Sequence, residues 1–519
     1  VHDWAARIPV ALSAVLLCWL TARFGAWAFG SLAGLYSGLA LATSMGLWLF
    51  TRIQIPDVTV TLTIALSMWA FLRALDDDEP HPRIWAAVCA AAIGTGLLLK
   101  GLIAAVFPVA GALLFLLVER RLFDRTTWRR LHPFTGLLIA LAIAAPWHIL
   151  AAIRNPPIWE FTMVSAPGNW HGFFWFYFMN EHVLRFLNLR FPRDYNTVPR
   201  ALFWLLHLAW LFPFSVFLPA AFTQSFRGTG RAARVRMLAI CWTGFLLTFF
   251  TFSSTQEYYS MPCYPALALL LGSAIASQHP WLRGGRMSLG VVTGLAALAC
   301  FGLLSQVWNL PAPGDISRAL DHHPDVYTLS LGHMGDLTIA SFAYLRPPLA
   351  LAGLAFLIGA ITSWRPRLAI AGMTVMMVMF LHAARFALTD FDPYLASRPL
   401  AESLKHQPPG DLIVDDQYYT FSSVFFYADL ANGPADPAPR RRAWLLNGRV
   451  NNLEYGSNAP GAPAVFLSDP DFVKRWASGD RYYLMCEKPQ VERFEKLIGK
   501  DQLSVVAESG GKFLFSNQR

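Results

Sequence analysis

The chain has 519 residues, 55% of them hydrophobic and only 14% charged, with 19 Trp, 39 Phe and a formal net charge of +9. A soluble domain carries about 25% charged residues, so a water-facing surface along the whole length is excluded, as are disorder, collagen and coiled coil. What remains is a polytopic α-helical membrane protein with a polar appendage, whose basic residues lie in short clusters between apolar runs and give no sign of nucleic-acid binding.

A spanning helix takes about 20 mostly apolar residues. That length predicts twelve spans, at 8–24, 28–48, 57–75, 84–100, 101–118, 134–152, 200–222, 236–253, 261–277, 287–304, 338–363 and 368–386. The apolar run begins almost at Val1, and the chain is expected to start inside a longer protein. Arg120, Arg121, Arg125, Arg129 and Arg130 sit in one loop, and Arg227, Arg231, Arg234 and Arg236 in another. Arg283 with Arg286, and Arg365 with Arg367, mark two more. Basic short loops face the cytoplasm, and counting helices puts all four on that side. Asp57, Lys100, the segments 153–200, 254–260 and 305–337, and the tail then share the outer face.

Segment 153–200 breaks the charge rule. It holds Arg154, Arg185, Arg190, Arg193 and Arg200 among Trp159, Trp170, Trp175 and a run of Phe and Tyr. That mixture reads as an interfacial helix meeting something anionic, or as a plain aromatic anchor. Beyond about Thr389 proline and charge rise, and apolar runs shorten to strand length. Strands are predicted at 411–416, 422–428, 442–446, 464–468, 481–486, 503–508 and 512–516, with helices at 396–406, 469–476 and 489–498. This gives residues 1–388 as a transmembrane domain with an outer loop at 153–199, and 389–519 as a small soluble α/β domain. Five of the six cysteines lie in or beside apolar runs; Cys486 is alone in the tail, so no disulfide and no zinc spacing is read there.

Four places on the outer face carry ionisable residues, which are costly near a membrane and functional by default. Asp57 follows Pro56 at the head of a helix, where a carboxylate serves either as a cap or as a group for a metal, a basic substrate or an acceptor hydroxyl. Arg52, five residues earlier, is a candidate partner for it or a phosphate ligand. Lys100 stands alone between two apolar helices with Gly101 beside it, either snorkelling or meeting a polar head group. In 175–187, Glu181, His182 and Arg185 fall on adjacent helical rows: Glu181 and Arg185 either pair with each other, or Arg185 and His182 bind a phosphate oriented by Glu181. In 254–260, Gln256, Glu257, Tyr258 and Tyr259 occupy a short turn before a Pro-marked helix.

With these residues the chain resembles the bacterial lipid-linked-sugar glycosyltransferases of the GT-C fold, the aminoarabinose transferase and protein O-mannosyltransferase relatives. The resemblance rests on Asp57 at its helix head, "LLLKG" at 97–101, "NEHVLRF" at 180–186 and "YYSMPCYPALALL" at 258–270. The tail string "LLNGRVNNLEYGS" at 445–457 looks like part of the periplasmic domain of the aminoarabinose-transferase-like group. The resemblance implies a bacterial inner-membrane enzyme that moves a sugar, such as aminoarabinose or mannose, with inversion. The donor is a polyprenyl-phosphate sugar, the acceptor a lipid A-like or protein group on the periplasmic side. It implies Asp57 and Glu181 as catalytic carboxylates, also the candidates for a divalent metal ion. Arg52, Lys100, His182, Arg185 and Tyr259 become substrate-binding. It further implies a thirteenth helix and an acidic outer loop upstream of Val1. Relatives carry a basic residue just before the tyrosine of the last motif, where this sequence has Thr255, Gln256 and Glu257. Two other classes fit the same composition. A transporter or flippase would show paired charges in mid-helix and broken repeated helices; a non-catalytic scaffold would use 153–200 only as an anchor.

Overall fold

The computed structural model describes residues 2–193, 197–321, 335–416, 418–428, 430 and 441–519. The predicted outer segment 305–337 therefore falls partly outside the described residues. The first eight helices are α1 Asp3–Phe29, α2 Ser31–Ala42, α3 Met45–Arg52, α4 Asp57–Leu75, α5 Pro82–Lys100, α6 Ile103–Val118, α7 Arg125–Leu131 and α8 Pro133–Arg154. Each of the twelve predicted spans coincides with helix. Among the described residues, nine helices are long and apolar enough to cross a membrane. Two more are bent pairs, α2 with α3 at 47° and Arg200–Trp210 with Phe214–Phe222 at 99°. The predicted span 101–118 is shorter, because Gly101 and Leu102 form the turn that separates it from α5 and leave α6 only 16 residues. The bend between α2 and α3 falls where Thr43 and Ser44 turn their hydroxyls back onto the carbonyls of Leu39 and Leu41, both at 2.8 Å.

Burial separates inner from outer helices. In α4 and in the helical stretch Glu257–Ala276, 78% and 89% of the apolar window is buried, against 22% in α1 and in Trp281–Val307. The bundle is therefore built around α4 and 257–276, with the lipid-facing helices outside. Between apolar helices in lipid, close packing replaces the hydrophobic effect, and small residues make it possible. A Cβ on Gly34 would lie 2.5 Å from the Ala22 carbonyl, and one on Gly272 would lie 2.6 Å from the Ala33 carbonyl. Those glycines let α2 run against α1 on one side and the 264–276 helix on the other.

The tail forms one six-stranded sheet: β1 Asp411–Asp415, β2 Ala443–Leu446, β3 Phe466–Leu467, β4 Tyr482–Glu487, β5 Ser504–Ser509 and β6 Lys512–Ser516. Their order is β3-β2-β1-β4-β6-β5, parallel from β3 to β4, with the β5–β6 hairpin antiparallel on β4. Ile413 stands opposite Trp444 on one side and Leu484 on the other. Strand periodicity sends alternate residues to opposite faces. Leu412, Val414, Tyr483 and Met485 pack with Leu400 and Leu404 from the helix Arg398–Lys405. Ile413, Leu484 and Cys486 pack with Phe472, Trp476 and Phe494 from Asp469–Trp476 and Val491–Ile498.

One predicted strand is a helix. Ser422–Tyr427 is α-helical, and the buried residues around it, Phe421, Val424 and Ala428, recur at three- and four-residue spacing. A seven-residue apolar run reads the same way as either element, and β1 already has β2 and β4 on its two edges. The tail is tied to the residues that enter it and to other parts of the chain at several points. Lys512, 3% exposed, donates to the carbonyls of Tyr394 and of Ala396, the latter at 3.1 Å. The Gly510 N–H donates to Asp315 Oδ2 at 2.9 Å, and the Tyr427 hydroxyl to Asp3 Oδ2 at 3.2 Å.

Replacing Gly272 with Val forces the two helices apart. Overpacking of this kind costs about 1–3 kcal/mol, so thermal unfolding in detergent is expected to shift down by several degrees, whereas the exposed Gly302→Val leaves it unchanged.

Candidate active site

The site forms where the start of α4, the end of α5 and the segment 175–187 meet. Asp57 opens α4 directly after Pro56 and makes no side-chain cap. It is 4% exposed, and the positive end of the helix favours its charge. Its Oδ1 pairs with Lys100 Nζ, while Oδ2 is buried with no hydrogen-bond partner among the described residues. Lys100 closes α5 and turns inward rather than snorkelling away. Its ammonium lies 5.1 Å from the Tyr258 ring and 5.5 Å from that of Tyr259. Gly101 follows in a left-handed conformation, φ 83°. A Cβ there would meet His182 Nε2 at 2.7 Å and the Tyr177 hydroxyl at 2.8 Å. The Lys100-Gly101 turn thus needs glycine both for its backbone and for the side chains that press on it.

Those side chains come from Trp175–Leu184, a π-helix that continues Gly172–Phe174. π-Helical turns are rare and cluster at functional sites. The Leu102 N–H donates to His182 Nε2 at 2.9 Å, so the proton of the ring sits on Nδ1, which donates to the Tyr177 carbonyl at 2.5 Å. Burial holds the imidazole below its usual pKa, consistent with this neutral form. The sequence suggested His182 as a phosphate ligand. In the structure both ring nitrogens are already used, and the residue brackets the Lys100-Gly101 turn.

Glu181 and Arg185 form the ion pair their spacing allowed. Glu181 also accepts from Arg190 Nε at 2.8 Å. Arg190, 8% exposed, was not among the candidates, because nine residues is no helical repeat and only the turn after Leu187 brings it back. Tyr177 and His148 were likewise missed. His148 Nε2 lies 2.8 Å from the Tyr177 hydroxyl, joining α8 to the π-helix. The turn 254–260 is more buried than its sequence suggested: Gln256 is 9% and Glu257 1% exposed, in and beside a 3₁₀ helix Glu257–Cys263. Val198 and Thr255 tie it to the end of the outer loop through a 2.9 Å backbone bond.

Asp57, Lys100, Glu181, His182, Arg185 and Tyr259 all line one cavity of about 680 Å³. Arg52 does not. It ends α3 with its guanidinium 4.4 Å from the Trp48 ring, and Asp57 takes Lys100 as its partner instead. Apart from Tyr177 and Ser253 the rest of the wall is apolar, including Leu102, Val106, Phe107, Val183, Phe186 and Phe249. In the Lys100–Asp57 and Arg185–Glu181 pairs the cation is the more accessible member. Side-chain exposure is 24% for Lys100 against 5% for Asp57, and 29% for Arg185 against 19% for Glu181. The mouth of the cavity therefore presents positive charge above a greasy wall. Both carboxylates are committed to cations, and among the described residues no three His, Cys, Asp or Glu are placed to hold a metal ion. Among the described residues, the ion-paired Asp57 and Glu181 do not make a divalent-ion site.

Residues 1–150 match the family described as dolichyl-phosphate-mannose-protein mannosyltransferase. The undecaprenyl phosphate-α-4-amino-4-deoxy-L-arabinose arabinosyl transferase of Erwinia tasmaniensis is 26% identical over 92% of this chain and 78% of its own length. The enzyme of the same name from Pseudomonas aeruginosa PAO1 is 32% identical over 49% of this chain and 43% of its own length. The crystal structures of ArnT from Cupriavidus metallidurans, apo and bound to undecaprenyl phosphate, each superpose over 99% of this chain and 84% of theirs, with TM-score 0.72 and 21% identity. The chain thus has the fold of ArnT and is similar in sequence to aminoarabinose transferases and, over residues 1–150, to the protein mannosyltransferase family.

Proposed function

We propose that this chain transfers a sugar from a polyprenyl-phosphate donor to an acceptor at the outer face of the bacterial inner membrane. Aminoarabinose is the first candidate sugar, and a lipid A-like group the first candidate acceptor. The observation that carries the reading is the cavity, with two accessible cations, Lys100 and Arg185, at the mouth of an otherwise apolar wall. A polyprenyl phosphate has that character, an anionic head on a hydrocarbon tail. The names of the relatives support the same donor. We take residues 1–388 as the membrane unit and 389–519 as a soluble unit on the periplasmic side.

In this reading the acceptor oxygen attacks the anomeric carbon from the face opposite the phosphate. The carbon–oxygen bond to phosphate breaks, and the lipid phosphate leaves with the electron pair. Charge grows on the departing phosphate, where Lys100 and Arg185 stabilise it. In this reading the second carboxylate oxygen of Asp57, buried and without a hydrogen bond among the described residues, takes the proton of an acceptor hydroxyl. An ionised phosphate acceptor brings no proton and leaves Asp57 to hold Lys100. Glu181 orients Arg185, Tyr259 lines the sugar end, and His182 keeps the Lys100 turn in place.

The test is turnover of a panel of polyprenyl-phosphate sugars by the full-length protein in detergent, followed by mass spectrometry. Lys100→Ala and Arg185→Ala are each expected to lower kcat by about 10²–10³-fold, the range for losing a group that stabilises developing charge. Arg52→Ala is expected to keep activity within about threefold, since it lies off the cavity. No turnover of any donor by the folded wild-type protein contradicts the reading.

Gly101→Ala makes a separate prediction. The added methyl collides with His182 and imposes an unfavourable backbone. Turnover is expected to fall by at least tenfold, and Gly101→Ala with His182→Ala should recover little, because the left-handed φ stays strained.

A further inference from the structure

The string 445–457 carries no chemistry in the sequence, and the reaction above makes no use of it. In the structure its short helix, Asn452–Gly456, rests on the segment that holds Glu181 and Arg185. Tyr455 is 2% exposed. Its ring centroid lies 4.9 Å from that of Trp170, 5.6 Å from Trp175 and 4.6 Å from Phe176. Its hydroxyl donates to the Gly172 carbonyl and accepts from the His171 N–H, both at 3.1 Å. Burial pushes the phenol up to about 12, so it keeps its proton at neutral pH.

Three residues earlier, Asn452 Oδ1 accepts from Arg190 Nη2 at 2.6 Å. Arg190 Nη1 donates to the Pro192 carbonyl at 2.6 Å, and its Nε to Glu181 Oε1 at 2.8 Å. The guanidinium is a rigid planar fork. Two of its arms are aimed by Pro192 and Asn452, and that sets the angle at which Nε meets Glu181. Glu181 then offers Oε2 to Arg185. With the Asn452 oxygen gone, the fork can turn toward Glu181 and take both carboxylate oxygens, the geometry arginine prefers. Arg185 would then lose its ion pair with Glu181, a contact that orients it at the cavity.

We propose that Asn452 and Tyr455 are positioning residues for the transferase site. Tyr455 clamps the start of the π-helix, and Asn452 orients Arg190, so that Glu181 holds Arg185 at the cavity mouth. This rests on the reading that Arg185 meets the donor phosphate. It gives the tail a role in catalysis without contact with the reacting atoms.

The experiment compares the full-length wild-type protein with Asn452→Ala, Asn452→Asp and Tyr455→Ala. One arm measures kcat and KM for a polyprenyl-phosphate sugar. The other measures hydrogen exchange of residues 172–187 without substrate. Misplacing a catalytic group by about an ångström costs up to roughly 100-fold. Asn452→Ala is expected to lower kcat about 10- to 100-fold with the donor KM within about threefold, and Asn452→Asp, which keeps the acceptor oxygen, to restore most of it. The double variant Asn452→Ala with Glu181→Gln should be no slower than Glu181→Gln alone. Tyr455→Ala should speed exchange in 172–187 at least tenfold. Wild-type kcat in Asn452→Ala, or unchanged exchange in Tyr455→Ala, overturns the proposal. If the wild-type protein turns over no donor, the functional reading fails first, and the exchange arm alone decides whether the tail holds this segment.

Discussion

The Lys100–Asp57 pair is the constraint around which this end of the molecule is arranged. A buried carboxylate is tolerable only with a partner, and removing one member of such a pair typically costs about 3–5 kcal/mol because the other is left charged and alone. Asp57 is nearly inaccessible, so Lys100 must reach it. That requirement fixes where α5 ends and demands the tight turn at Gly101. The turn in turn sets the place against which His182 and Tyr177 pack. The ammonium stays partly accessible because the pair lies at the end of both helices, with two tyrosine rings beside it. One interaction therefore both anchors two helices and supplies the charge at the cavity mouth.

The second pair repeats the pattern with a longer chain of support. Arg185 is held by Glu181, Glu181 by Arg190, and Arg190 by the tail. The inner links, Glu181 and Arg190, are charged groups with little exposure. A fault at the far end is felt at the near end, since the interior groups cannot turn to water for replacement bonds. The tail is in this way continuous with the site, although the cavity itself is walled by residues from the apolar helices, the 153–199 segment and the 253–262 turn.

Much of this was legible in the sequence. Spans are long apolar runs, and each predicted one holds helix. Asp57, Lys100, Glu181, Arg185 and Tyr259 were visible as polar residues where apolar ones were due, and they share the cavity. The rest depended on tertiary structure. Arg52 stands close to Asp57 in sequence, but its guanidinium lies over the ring of Trp48, four residues back in the same helix, and it is Lys100, from the end of α5, that reaches Asp57. Arg190 and Asn452 are 262 residues apart and meet only when the tail folds back onto the outer loop. The role of His182 turned on which groups reached its two nitrogens, and one of them is a backbone amide that no sequence pattern marks. Segment 422–428 was read as a strand because a short apolar run does not distinguish the two periods.

The most direct test of the account is a structure of the full-length protein with a polyprenyl phosphate bound. The account predicts the phosphate within hydrogen-bonding distance of Lys100 Nζ and the Arg185 guanidinium, and the first isoprene units against Leu102, Val106 and Phe249. A phosphate seated away from both cations, with the cavity described here left to ordinary membrane lipid, would contradict it.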